Sequence, residues 1–155
     1  MINILNSIKM ELMILLFSMV PIIELRGAIP LGISLGLHPI HSGILGIIGN
    51  ISIGILLLKA LRPLMNYFEK TELFRSSIGW VKKRSMKKAG TIKKYSLVGL
   101  FFFVAIPIPT SGVWTASLIA TILKLDRRRA MITMSLGVIV SAIIVLGIYY
   151  GIFKI

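Results

Sequence analysis

Apolar residues run in four long stretches, 12–37, 43–58, 95–123 and 130–153, with polar or basic segments between them. A helix that crosses the hydrocarbon core of a bilayer needs about 20 residues. Residues 130–153 meet that length and 43–58 make a short span. The stretch 95–123 is long enough, but Pro107-Ile108-Pro109-Thr110-Ser111-Gly112 interrupts it. Each proline removes an N–H donor and clashes with the preceding turn, so a helix ends there. What remains on each side is about 17 Å of helix, half a membrane. The first stretch divides in the same way. Leu12–Ile23 and Ile29–Leu37 flank Glu24-Leu25-Arg26-Gly27-Ala28. Half-length helices on either side of a break predict hairpins that enter a membrane and return.

Charge gives an independent reading of the topology. The chain of 155 residues carries 18 Lys+Arg against 5 Asp+Glu, a formal charge of +13. Eleven of the basic residues fall between Lys59 and Lys94, and four more between Lys124 and Arg129. Basic loops face the cytoplasm. Both blocks share a side only if 95–123 enters and returns. The expected fold is therefore all-α and integral to the membrane, an inverted-topology repeat of re-entrant hairpin plus transmembrane helix. Repeat 1 is 1–58, with hairpin 12–37 and span 43–58; a basic linker follows at 59–94; repeat 2 is 95–155, with hairpin 95–123 and span 130–153. A faint internal echo agrees, Ala28-Ile29-Pro30-Leu31 with Ala105-Ile106-Pro107-Ile108, and Leu45–Ile48 with Leu136–Ile139. In the linker, Phe74, Ile78 and Val81 recur at helical spacing beside Lys82, Lys83, Arg84, Lys87 and Lys88. This pattern predicts an amphipathic helix on an anionic lipid surface. No aromatic platform accompanies it, so nucleic acid is not an expected partner.

The chemistry available is narrow. There is no cysteine, and only two histidines, so no metal centre, cofactor site or nucleophile–base pair is expected, and no enzyme. Glu24 and Arg26 are the only ionisable residues inside an apolar stretch. Charges at that depth face protein or water and mark function, or hold a hairpin tip. The returning half-helices are expected to start near Ala28 and Ser111. Gly27 lets the first tip turn, Pro30, Pro107 and Pro109 shape the breaks, and Thr110 or Ser111 caps the second helix beside Gly112. Helix N-termini attract anions. With Arg26 they form an expected anion pocket, and Trp114 either borders it or serves as an interfacial or lipid-facing aromatic. Glu24 either orients Arg26 or carries a coupling proton. Asn50 is expected to make an interhelical hydrogen bond. Gly43, Gly46, Gly49 and Gly54 allow close helix packing, and His38 and His41 read as solvated turn residues.

The runs VPIIELRGAIPLG (Val20–Gly32) and AIPIPTSGVWTASLIA (Ala105–Ala120) resemble the small multidrug export family of bacteria and archaea, itself distantly similar to DedA-like membrane proteins. The resemblance implies a prokaryotic plasma-membrane protein with re-entrant hairpins, and the DedA likeness implies movement of lipids or polyprenyl phosphates. Three functions follow: a flippase for an anionic amphiphile such as a lipid-linked phosphate, a proton-coupled exporter of hydrophobic cations, or a membrane scaffold. Two spans are little protein to enclose a pathway, so a homodimer or other homo-oligomer is expected. Because the chain lacks cysteine, sidedness is directly measurable. Single cysteines at Lys87 and Arg128 should react alike with an impermeant thiol reagent from the cytoplasmic side; opposite sidedness would exclude a re-entrant 95–123.

Overall fold

A computed structural model describes residues 2–68, 89–108 and 112–153. Among these residues the chain is entirely helical: α1 (Ile2–Met19), α2 (Glu24–Ser34), α3 (Pro39–Phe68), α4 (Ala89–Ala105), α5 (Val113–Ile122) and α6 (Arg127–Phe153). The expected amphipathic helix around Phe74, Ile78 and Val81 lies outside the described residues. So do Pro109, Thr110 and Ser111.

Pro39–Leu64 of α3 and Arg127–Gly151 of α6 are long and apolar enough to cross a membrane. Their outer faces are built for hydrocarbon. On α6, Ile132, Leu136, Ile139 and Ile143 are exposed at helical spacing. Such a continuous apolar stripe is unfavourable in water and natural against lipid. The opposite face, with Ala130, Met134, Val138, Ala142 and Val145, is buried. It joins Leu25 and Ile29 of α2, Leu58 of α3, Leu100 and Val104 of α4, and Val113, Ala116 and Ala120 of α5 in one core.

The two halves are built alike. In each, the three helices pack on one another: α1, α2 and α3 in the first, α4, α5 and α6 in the second. Between halves, α3 packs on α5 and α6, and α6 packs on α2. Exchanging the halves leaves this set of pairs unchanged. The ends of the short helices correspond as well. The Leu37 N–H donates to the Gly32 carbonyl, and the Leu125 N–H to the Ala120 carbonyl, each at 3.0 Å. Gly36 (φ 93°) and Lys124 (φ 50°) occupy the left-handed position that closes these caps. The same offset relates Gly49, where α3 crosses α1, to Gly137, where α6 crosses α4. A Cβ at Gly49 would lie 2.6 Å from the Leu15 carbonyl oxygen, and one at Gly137 would lie 3.0 Å from that of Phe101.

Six of the described basic residues, Lys59, Arg62, Lys124 and Arg127–Arg129, collect at one end. Arg62 of α3 donates to the Leu125 carbonyl in the α5–α6 turn. That contact brings Lys59 and Arg62 beside Lys124 and Arg127–Arg129. Asp126 does not neutralise this cluster so much as start α6: its carboxylate accepts the Arg129 N–H at 2.9 Å. That hydrogen bond, more than the neighbouring arginines, holds Asp126 below the usual carboxylate range.

Several expectations need correction. The first break is Val20–Ile23, and Glu24–Ala28 are the opening turns of α2. The short helices after the breaks begin at Glu24, ahead of the expected Ala28, and at Val113, close to the expected Ser111. The first long helix runs from Pro39 to Phe68 and so absorbs Lys59 and Arg62 from the supposed linker. The echo is out of register: Ala28–Leu31 lie within α2, whereas Ala105 ends α4 and Ile106–Ile108 follow it. His41 is on α3, not in a turn, with Nε2 3.7 Å from the Glu11 carboxylate.

Gly49→Ala should lower thermal stability by about 1–3 kcal/mol, because backbone on α1 cannot yield as a side chain can. Gly99→Ala, where nothing lies within 4 Å of a new Cβ, should be neutral or stabilising. Melting of the two variants in detergent checks the contrast.

Candidate functional site

The two helix breaks meet, and α2 joins them. Proline ends α1 just as it ends α4: Pro21 follows α1, and Pro107 follows α4. Each break leaves carbonyls at the end of one helix and N–H groups at the start of the next without partners in their own helix. In an apolar surrounding those groups must be satisfied by protein.

Glu24 satisfies the start of α5. Its carboxylate accepts the backbone N–H groups of Val113 and Trp114. The residue is 6% exposed. Its backbone is held at φ 47°, a left-handed conformation that non-glycine residues rarely adopt. The Glu24 N–H closes the break by donating to the Val20 carbonyl at 2.9 Å. Gly112, the N-cap of α5, supplies no side-chain cap. A Cβ there would fall on the Glu24 carboxylate. The capping oxygen thus comes from a distant helix and occupies the space that a local cap would take.

Arg26 satisfies the end of α4. Its guanidinium donates to the carbonyls of Ile106 at 3.1 Å and Val104 at 3.4 Å, and also to Ile108. A planar fork with five donors suits such a set of carbonyls better than an ammonium would. Trp114 answers in the opposite direction. Its indole Nε1 donates to the Met19 carbonyl, at the end of α1, at 3.0 Å. Arg26 and Trp114 are equivalent positions of the two halves by the same offset as Gly36 and Lys124. Each short helix therefore caps the broken end of a helix in the other half.

This geometry gathers Glu24, Arg26, Pro107, Gly112 and Trp114 as a group. Gly27 sits one turn into α2, with Ile23 close to its missing side chain. Pro30 lies inside α2 and is exposed. The roles expected of Pro109, Thr110 and Ser111 fall outside the described residues. Sequence reasoning missed three things: the cap that Glu24 gives to α5, the bond from Trp114 to Met19, and the reason for Gly112. Pro21 was the available signal for the true position of the first break. The interhelical bond expected of Asn50 is not seen among the described residues; its Oδ1 is buried without a partner there. No group of three or more metal-ligating side chains occurs among the described residues.

The fold and site define an all-helical membrane protein whose two halves are locked together at paired helix breaks. Residues 24–144 match the family described as "Putative small multi-drug export protein", and the chain belongs to that family. The matched segment begins at Glu24. No curated protein and no solved structure matches the chain.

The Glu24–Gly112 contact yields a double-mutant test. Gly112→Ala alone should destabilise the protein by about 1–3 kcal/mol through overpacking. In a Glu24→Ala background the same change should cost much less, leaving a coupling of about 1 kcal/mol or more. Additive losses in thermal melts would mean that the two positions do not compete for space.

Proposed function

We propose that this protein is a proton-driven membrane exporter of hydrophobic cations, gated where the two helix breaks meet. Membership of the small multidrug export family supports a transporter. The observation that carries the finer reading is the Glu24 carboxylate on the N–H groups of Val113 and Trp114. It is the one acidic side chain buried among the described residues. A proton or an incoming cation neutralises it, and a neutral carboxyl holds a helix N-terminus more weakly than a carboxylate does. Loading Glu24 thereby frees the first turn of α5. Arg26 meanwhile stays on the carbonyls of Val104, Ile106 and Ile108, away from the role of anion receptor.

In this reading each hairpin enters the bilayer and returns, and the halves insert in opposite directions. α2 and α5, with 11 and 10 residues, are about half a membrane long. The matching helix pairs of the two halves support the repeat. The cluster of Lys59, Arg62, Lys124 and Arg127–Arg129 is cytoplasmic and rests on anionic lipid headgroups. The membrane is the plasma membrane of a prokaryote, and a second copy of the chain completes the wall of the pathway.

One observation favours a second cargo. Two backbone N–H groups hold a carboxylate within the electrostatic reach of Arg26, and a phosphate displacing Glu24 meets the same two donors and the same positive charge. The cargo is then an anionic amphiphile such as a lipid-linked phosphate.

Proteoliposomes separate these readings. With an imposed pH gradient, the native chain should expel a lipophilic cation such as tetraphenylphosphonium, and Glu24→Gln should lose that activity while remaining folded. Flipping of a fluorescent lipid phosphate that survives Glu24→Gln and fails in Arg26→Ala would instead establish the anionic cargo. Cation export unaffected by Glu24→Gln would refute the proposed coupling.

A further inference from the structure

Of the seven buried polar or charged side chains among the described residues, five have a visible partner, and two, Asn50 and Ser141, carry a side-chain oxygen without one. Ser18 donates to the Leu15 carbonyl at 2.7 Å, Ser42 to Ile29 at 2.9 Å, Ser117 to Val113 at 2.7 Å and Thr121 to Ser117 at 2.7 Å. Glu24 accepts from α5, as described. Ser141 Oγ lacks a partner among the described residues as Asn50 does, but it is Asn50 that has a cavity beside it. Asn50 is 1% exposed, lies on the central helix α3, and its Oδ1 has no partner among the described residues. An amide in an apolar interior demands hydrogen bonds.

Beside Asn50 there is a cavity between α3, α5 and α6. It is lined by Asn50, Gly54, Val113, Met131, Met134 and Ser135, among others, and its volume is about 10 Å³. That is close to the space one water molecule requires, and a water there needs polar partners on the wall. Asn50 provides an amide, and Ser135 a hydroxyl that both donates and accepts. Gly54 lets Val113 of α5 approach α3 at the wall of the cavity: a Cβ there would come within 2.7 Å of Val113 Cγ1. The site is far too small for a drug or a lipid headgroup, and it has too few oxygens for a cation.

We propose that this cavity is a binding site for a single buried water, which donates to Asn50 Oδ1 and is shared with Ser135. The water satisfies the amide at the centre of the bundle and joins α3 to α6. It sits behind the first turn of α5, since Val113 lines the cavity while its N–H holds Glu24. This assignment does not depend on the cargo or on the coupling ion.

Radiolytic hydroxyl labelling of the full chain in lipid nanodiscs tests it, because radicals formed from a bound water oxidise the side chains around it. Met134 is 3% exposed and lines the cavity. It should be oxidised to the sulfoxide in the native protein during millisecond exposures. Asn50→Leu removes the amide and fills the space, so labelling of Met134 should fall several-fold. Labelling of Tyr67, 72% exposed, should not change and reports an intact fold. An unlabelled Met134 in the native protein would overturn the proposal, whatever the variant does. Equal labelling of Met134 in a well-folded Asn50→Leu protein would overturn it as well.

Discussion

The structure depends on one electrostatic contact, the Glu24 carboxylate on the first N–H groups of α5. A helix that begins in an apolar environment must find acceptors for its opening donors, and water is not there to supply them. Here a single side chain supplies them from another helix. Its cost is visible in the backbone of Glu24, which sits at a left-handed φ. Such a conformation persists only where its surroundings over-determine it. The N–H groups of α5, the bond back to Val20 and the absent side chain of Gly112 together do so.

Around that contact the protein solves the same problem repeatedly by exchange between halves. Arg26 covers the end of α4, and Trp114 covers the end of α1. Helices with broken ends therefore cannot separate without exposing backbone, so polar groups hold the two halves together where the breaks meet, while small residues close each half on itself. Gly49 and Gly137 bring α3 onto α1 and α6 onto α4 at backbone distance. Lipid gives little hydrophobic drive to hold helices together, which leaves close packing and hydrogen bonds to do it. A lock of this kind has a natural key, since changing one charge at Glu24 weakens one of the bonds between halves and leaves the apolar packing intact.

Much of this was legible in the sequence. The lengths of the apolar stretches and their proline breaks gave the order of hairpin and long helix, and the buried charge at Glu24 and Arg26 pointed to the region around Pro107–Gly112. The break itself was misplaced because charge was read as the turn, whereas Pro21 ends α1 and the charged residues open the helix that follows. The equivalence of the halves was hidden for a different reason. It lives in backbone conformation more than in residue identity: glycine closes one cap and lysine the other, and arginine stands in one half where tryptophan stands in the other. Short matches among Ile-rich segments pointed to a different register. Gly112 carried no legible sign of its role, because what it accommodates comes from far away in the chain. Asn50 looked like a hydrogen-bond donor to a neighbouring helix, and periodicity alone could not tell that the neighbour presents a cavity.

The central claim is that the charge of Glu24 holds the two breaks together. The chain has no cysteine, and Ile22 and Ile108 are exposed on either side of the junction at 92% and 53%. Spin labels at Ile22→Cys and Ile108→Cys therefore report the separation of the breaks, measured by pulsed dipolar spectroscopy in nanodiscs as pH is lowered. The account predicts one distance at neutral pH, a second, longer population on acidification, and that longer population already at neutral pH in Glu24→Gln. A distance distribution that ignores both pH and the Glu24→Gln substitution would contradict it.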